Sequence, residues 1–293
     1  MILRQALQSA AQTLLQAGIP DAPIEAELLL GHVLKMSRTQ LYTEPERRLS
    51  SAEIERLNCL VGRRLDHEPN AYILGHCAFY GVDLYVDCHT LIPRPETELL
   101  VEKAVELGHG MCFLGRQLII ADIGTGCGAI AISLAMALPQ AKIYASDISG
   151  PALRVAAVNC QRHSVSNRVH LLQGNLLEPL PEPVDMIVAN LPYVRSKELQ
   201  NLSPEIRDFE PGIALAGGED GLDRIRQLIE QVPGKLRTGG SLLLEIGWGQ
   251  GEMVTALVDR CLPGASMKLI TDPGGVDRVV QVVTTEHRQR GAR

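Results

Sequence analysis

Residues 118–128 read LIIADIGTGCG, an apolar run that ends in Gly124, Gly126 and Gly128. A short segment that is apolar at consecutive positions, and not only at alternate ones, suits a strand buried on both faces. Glycines carry no Cβ, so the turn that follows lets backbone come close to a ligand, and Ile130, Leu134 and Leu138 then continue at helical spacing. Strand, glycine turn and helix in that order open a doubly wound α/β sheet. Such sheets bind ligands beyond the carboxyl ends of their strands.

The alternation continues downstream. Strands are predicted to end at Asp147, to run near Val169–Leu172, to end at Asn190 and to span Ser241–Ile246, with helices from Pro151 and around Leu222–Val232. A further helix and two strand-like runs, Met267–Ile270 and Val279–Thr284, complete a mostly parallel sheet covered on both faces. Asp147 follows Gly124 by about 20 residues, at a strand end where a carboxylate can accept both ribose hydroxyls of an adenosine. Gly124, Gly126 and Ala129 also satisfy the looser dinucleotide spacing, so the glycines alone leave NAD and S-adenosylmethionine both open. The compact GxGxG with Asp122 two residues ahead favours S-adenosylmethionine, whose sulfonium needs an acidic, glycine-lined slot and no pyrophosphate cradle.

The stretch Val188–Val194, VANLPYV, carries the candidate chemistry. Asn190 is neutral and bifunctional: its carbonyl oxygen can accept from a substrate N–H while its own NH₂ donates. The backbone carbonyl of Leu191 can accept a second N–H of the same amino group, Pro192 limits its swing, and Tyr193 offers a flat wall. A planar –NH₂ group is the acceptor this set fits. Asn and Pro after a strand are also ordinary turn residues, and the rest of the chain decides between the two readings.

Upstream, Leu3, Leu7, Ala10 and Leu14 recur at helical spacing until Gly18 and Pro20. A second helix starts near Pro23, and Ser50 with Glu53 forms a capping box for a third through Ile54, Leu57, Val61 and Leu65. The charges there, Arg63 and Arg64 included, read as a solvated helix face. Ala78–Val86 changes to period 2 around Gly81, a hairpin, and LIPRPETELLVE at Leu91–Glu102 opens a helix after two prolines. The expected organisation is a helical, substrate-gripping domain over 1–75, a hairpin linker over 76–92 and a catalytic domain over 93–293.

A net charge of −6 and 3% aromatic residues argue against nucleic-acid binding. No apolar run reaches the length of a membrane span, and the N-terminus lacks the flanks of a signal peptide, so a cytoplasmic chain is expected. Seven cysteines without a CxxC spacing read as reduced thiols. His76, Cys77, Cys88 and His89 have the ligand types of a zinc site, but adjacent residues of a strand point to opposite faces, so no metal is predicted there.

Over nearly its whole length the chain resembles the glutamine N5-methyltransferases of class I peptide chain release factors. The resemblance is carried by NAYILG (Asn70–Gly75), LIPRPETELLVE, DIGTGCGAIAISLA (Asp122–Ala135), SDIS (Ser146–Ser149), NLPY, FEPGIALAGGEDGLD (Phe209–Asp223), LEIGWGQ (Leu244–Gln250) and GGVDRVV (Gly274–Val280). It implies a class I, Rossmann-like methyltransferase domain with a seven-stranded sheet behind a small helical domain. S-adenosyl-L-methionine is the implied donor, and the implied acceptor is the side-chain amide of the Gln in a release factor's Gly-Gly-Gln loop. On this reading Gly124, Thr125, Gly126, Cys127, Gly128, Asp147, Asn175, Leu176 and Asn190 hold the cofactor, while Asn190, Leu191, Pro192 and Tyr193 hold the acceptor. The expected partner is a release factor, met by a monomer.

Two positions depart from the family pattern: Leu191 stands where Asn-Pro-Pro-Tyr is usual, and Asn175 where Asp is usual. Leu191 keeps the carbonyl acceptor with less rigidity, and the Asn175 amide oxygen can still accept from an adenine amino group. The alternatives are an N6-adenine methyltransferase, since VANLPY is also similar to the version in ribosomal RNA adenine dimethylases, and a release factor binder that has lost methyl transfer.

Overall fold

The structure, a computed structural model, describes residues 1–112 and 117–284. The chain opens with α1 (Leu3–Gln16), α2 (Ala22–Leu34), α3 (Arg38–Thr43), α4 (Ser51–Leu65) and α5 (Asn70–Leu74). A hairpin, β1 (His76–Phe79) and β2 (Val82–Tyr85), leads to α6 (Thr97–Cys112). Then follow β3 (Ile119–Ile123), α7 (Ala129–Ala137), β4 (Lys142–Asp147), α8 (Gly150–Arg162), β5 (Val169–Gln173) and β6 (Val184–Ala189). The chain closes with α9 (Pro204–Phe209), α10 (Asp223–Gln231), β7 (Leu236–Glu245), α11 (Gly251–Cys261), β8 (Ser266–Thr271) and β9 (Asp277–Val283).

Two compact units result: residues 1–76 together with 203–209, and the remainder of the described chain. In the first, α1 buries Leu3, Ala6, Ala10 and Leu14 against Leu29 and Leu30 of α2 and Leu57 and Val61 of α4. The Ser50 hydroxyl accepts the Glu53 N–H at 3.2 Å and the Glu53 carboxylate accepts the Ser50 N–H at 2.8 Å, the reciprocal box the sequence predicts. Helices α3 and α5 were not expected; Ser37 and Gln40 form a second such box at α3. Arg64 corrects the solvated-face reading: it is 4% exposed, and its guanidinium donates to Glu25 at 2.5 Å and to Glu205, on α9, at 3.0 Å. Arg63 keeps more solvent and pairs with Glu68.

The second unit holds a seven-stranded sheet in the order β5-β4-β3-β6-β7-β9-β8. The pairs from β5 through β7 are parallel, and β9 runs antiparallel to both β7 and β8. Every residue of β3 and β6 is buried, the outcome of apolar runs covered on both faces. The register decides where the site lies: Ile123 pairs with Ser146 on one side and Ala189 on the other, and Ala189 pairs in turn with Leu244. The next residue on each strand is Asp147, Gly124, Asn190 and Glu245, so these four stand in a row along one edge. Strand β7 begins earlier than predicted, at Leu236, which pairs with Val184. Cys88 and His89 correct another expectation, since they lie beyond β2 in a turn and not in a strand.

Candidate active site

A cleft opens over the carboxyl ends of β3, β4 and β6, lined by residues of the glycine turn, the end of β4 and the turn after β6. Its floor is Gly124, Gly126, Asp147 and Asn190. Gly124 has φ +74, a conformation that L side chains rarely adopt, and a Cβ there would stand 3.1 Å from Leu191 Cδ2, which would have to shift by a few tenths of an ångström. The adjacent N–H groups of Gly124 and Thr125 both donate to the Ser146 carbonyl, at 2.9 and 3.0 Å, which ties the turn to β4.

Two acids hold this turn. Asp147 accepts the Gly126 N–H on Oδ2 at 2.9 Å and the Ser149 N–H on Oδ1 at 2.8 Å, and burial raises its carboxyl above the usual range. Asp122 is completely buried: its Oδ2 accepts the Thr125 hydroxyl at 2.6 Å and the Ala131 N–H at 3.1 Å, while Oδ1 has no partner among the described residues. Burial, and then the charge of Asp147, push Asp122 up to about 7. Asp122 thus braces the turn from beneath, and Asp147 faces the cleft.

The Asn190–Tyr193 turn is held on all sides. Leu191 is buried in the core, packed towards Gly124. Val194 N–H donates to Leu215 O at 3.0 Å and Gly217 N–H to Val194 O at 2.8 Å. Gln250 is buried; its Nε2 donates to Tyr193 O at 3.2 Å and to Gly221 O at 3.3 Å, while its Oε1 accepts the Gly247 N–H at 2.8 Å. A Cβ on Gly221 would sit 2.4 Å from Tyr193 O, so this staple requires glycine. Asn190 Nδ2 donates to Thr97 Oγ1 at 3.0 Å. Its Oδ1 is left for an acceptor N–H, and Thr97 takes one of the two Nδ2 hydrogens. Arg94 pairs with Glu210, which is 5% exposed and also accepts the Ile92 N–H, so the PRPE and FEP stretches clamp each other.

The structure brings Gly124, Gly126, Asp147, Asn175, Leu176, Asn190, Leu191 and Pro192 to one cleft. Thr125 and Cys127 are buried beneath it, with Cys127 O accepting from Asn159 at 2.9 Å, and Gly128 begins α7. Tyr193 turns away from the cleft into a neighbouring depression with Val194, Arg195 and Trp248, which is 82% exposed. Its hydroxyl donates to Glu245 at 3.4 Å, and burial, then that carboxylate, push the phenol up to about 12. The Asn175 NH₂ donates to Glu178 at 2.9 Å, so its amide oxygen remains as the acceptor. Sequence reasoning missed Ile148, Ser149, Ile213 and Arg224 in the cleft wall, and Thr97, Gln250 and Glu245 behind it. Asp87, Cys88 and His89 bring ligand-type atoms within 4.8 Å of one another, but the same Asp87 oxygen accepts both the His89 N–H and a bond from its ring.

The sheet order, the glycine turn and the aligned acid and amide at the strand ends define a class I, S-adenosylmethionine-dependent methyltransferase. The family description PrmC N-terminal domain matches residues 5–75, and Methyltransferase small domain matches residues 97–205. The chain is 38% identical to the release factor glutamine methyltransferase of Geobacter sulfurreducens, covering 95% of each chain. It is 41% identical to that of Moorella thermoacetica, covering 95% of this chain and 97% of the relative. A solved methyltransferase from Pyrococcus furiosus, 19% identical, shares the fold at a TM-score of 0.52 over 71% of this chain and 92% of its own. The chain belongs to the release factor glutamine methyltransferase family.

Proposed function

We propose that this protein methylates the side-chain amide of the Gln in the Gly-Gly-Gln loop of class I release factors, and that the Asn190–Tyr193 turn holds the acceptor. The observation that carries the reading is the alignment of Asp147, Gly124 and Asn190 along one sheet edge, which places a cofactor cradle beside an amide whose free end is an acceptor. The cradle fits S-adenosylmethionine: Gly124, at a positive φ, puts no Cβ between backbone and cofactor, Asp147 presents a carboxylate at the rim, and Ile148 and Leu176 give apolar walls. When bound, that cofactor supplies an electrophilic methyl group.

The chain's own residues do the rest. An amide nitrogen is a poor nucleophile because its lone pair is delocalised into the carbonyl. Asn190 Oδ1 and the Leu191 carbonyl accept its N–H groups, fix the nitrogen's direction and favour the positive charge that develops there. Leu191 stays rigid without a second proline because its side chain is packed in the core. Trp248 and Tyr193, in the adjoining depression, give a protein loop an aromatic footing, and the helical segment 1–75 grips the body of the release factor. Labelled methyl transfer to a purified release factor tests the reading: label on the wild-type loop and none on a Gly-Gly-Ala loop supports it, and equal label on both overturns it.

A further inference from the structure

We propose that His89, its ring locked by Asp87, is a further cofactor-binding residue that holds the amino-acid end of S-adenosylmethionine. This rests on the cofactor cradle described above and not on the identity of the acceptor.

His89 lines the same cleft as Gly124, Asp147 and Asn190, and its side chain is 49% exposed, within reach of a solute. Its direction is fixed from behind. Asp87 Oδ1 accepts the His89 backbone N–H and bonds ring Nδ1, both at 2.9 Å, while Asp87 Oδ2 accepts the Tyr85 hydroxyl at 3.0 Å. The buried Thr90 closes the turn, its N–H donating to Asp87 O at 3.1 Å. Burial raises the Asp87 carboxyl, but the bonds from His89 and Tyr85 outweigh it and hold the acid below the usual range. An ionised carboxylate can only accept, so Nδ1 carries the ring proton. Nε2 has no hydrogen-bond partner among the described residues. It is a lone pair on the neutral ring and a donor on the charged one.

The anchoring of this stretch selects the part of the cofactor that His89 meets. Asn159 is fully buried; its Oδ1 accepts the Tyr85 N–H at 2.7 Å, and its NH₂ donates to Tyr85 O at 2.8 Å and to Cys127 O at 2.9 Å. The end of β2 is thereby pinned to the glycine turn. At its other end the stretch reaches Thr97, which takes the Asn190 Nδ2 donor. Residues 85–97 are therefore fixed to the glycine turn at one end and to the acceptor turn at the other. Asp147, on β4, is the group for the ribose hydroxyls, so the amino-acid end falls to the groups along the glycine turn. That end is a zwitterion. Its ammonium can donate to the lone pair of the neutral ring and its carboxylate can accept from the charged one, so His89 has a partner in either state.

The test is titration calorimetry with two probes, S-adenosylhomocysteine and methylthioadenosine, the second of which lacks the amino-acid end. His89→Ala should weaken S-adenosylhomocysteine about tenfold and leave methylthioadenosine within about twofold, so the second probe also reports whether the cleft is intact. Nitrogen NMR of the His89 ring should show the Nδ1–H form in the wild type and its loss in Asp87→Asn, whose amide can donate as well as accept. In the wild type, Nε2 should shift with S-adenosylhomocysteine and not with methylthioadenosine. An equal loss for both probes in His89→Ala, or no loss for S-adenosylhomocysteine, overturns the assignment, and a tautomer unchanged in Asp87→Asn overturns the lock. Absence of methyl transfer to any release factor would overturn the proposed acceptor instead, and the two-probe comparison would still decide the role of His89.

Discussion

Asp147 Oδ2 accepts the Gly126 N–H at 2.9 Å, so the acid at the end of β4 and the glycine turn after β3 form one rigid rim. The carboxylate that faces the cofactor cleft is also the group that shapes its floor. Asp147→Ala removes both roles and leaves the Gly126 and Ser149 N–H groups without their acceptor. Affinity for S-adenosylhomocysteine, measured by titration calorimetry, is expected to fall tenfold or more, on the order of the ~1.5–3 kcal/mol of hydrogen bonds to a charged group. Unchanged affinity would separate the acid from the cofactor.

Asp122 makes stability depend on pH. Its folded carboxyl is pushed up to about 7 by burial, above its ordinary value, so the folded chain keeps a proton that the unfolded chain has released. Raising the pH from about 4 therefore removes stability, and the loss is complete only above about 7. Asp122→Asn cannot ionise. Its melting temperature relative to wild type should rise between about pH 5 and pH 8, and a difference that is flat or falls across that range contradicts the assignment.

Gln250 staples the acceptor turn with two donors and one acceptor. Gln250→Glu keeps the acceptor for Gly247 but loses the bonds to Tyr193 O and Gly221 O. Methyl transfer should fall by about 10-fold to 100-fold, the scale of losing orientation at a reacting group, with cofactor affinity within about twofold. The Ala variant should be no worse than Glu, because the two carbonyls are what the site needs served.

Much of this was written locally in the sequence, and the exceptions share a cause. The apolar runs of β3 and β6 and the residues that cap them, Gly124 and Asn190, are neighbours along the chain, so strand, turn and site could be read together. Thr97, Glu245 and Gln250 meet Asn190–Tyr193 only through the register of β6 with β7 and the placement of α6, which no local pattern records. The Tyr193 ring was expected in the cleft, but its direction is set by Gln250 and the 217–221 glycines. Arg64 was misread for the same reason. Its burial depends on Glu205, 141 positions away in sequence.

That Arg64 contact predicts a local change in protease sensitivity. Removing one member of a buried pair is costly, about 3 kcal/mol here because Glu25 and Glu205 keep some solvent. Arg64→Ala should free the 203–209 segment, and tryptic cleavage after Arg207 should accelerate ahead of cleavage elsewhere. Equal acceleration at all sites would mean general unfolding and not release of this segment.

The account turns on Asn190 acting by orientation, and its most direct test is the split between binding and turnover in Asn190→Ala. Cofactor affinity should stay within about twofold, while single-turnover methylation of a release factor falls on the order of 100-fold. Equal losses in both, or turnover that survives the substitution, would contradict the claim that this amide aims the acceptor.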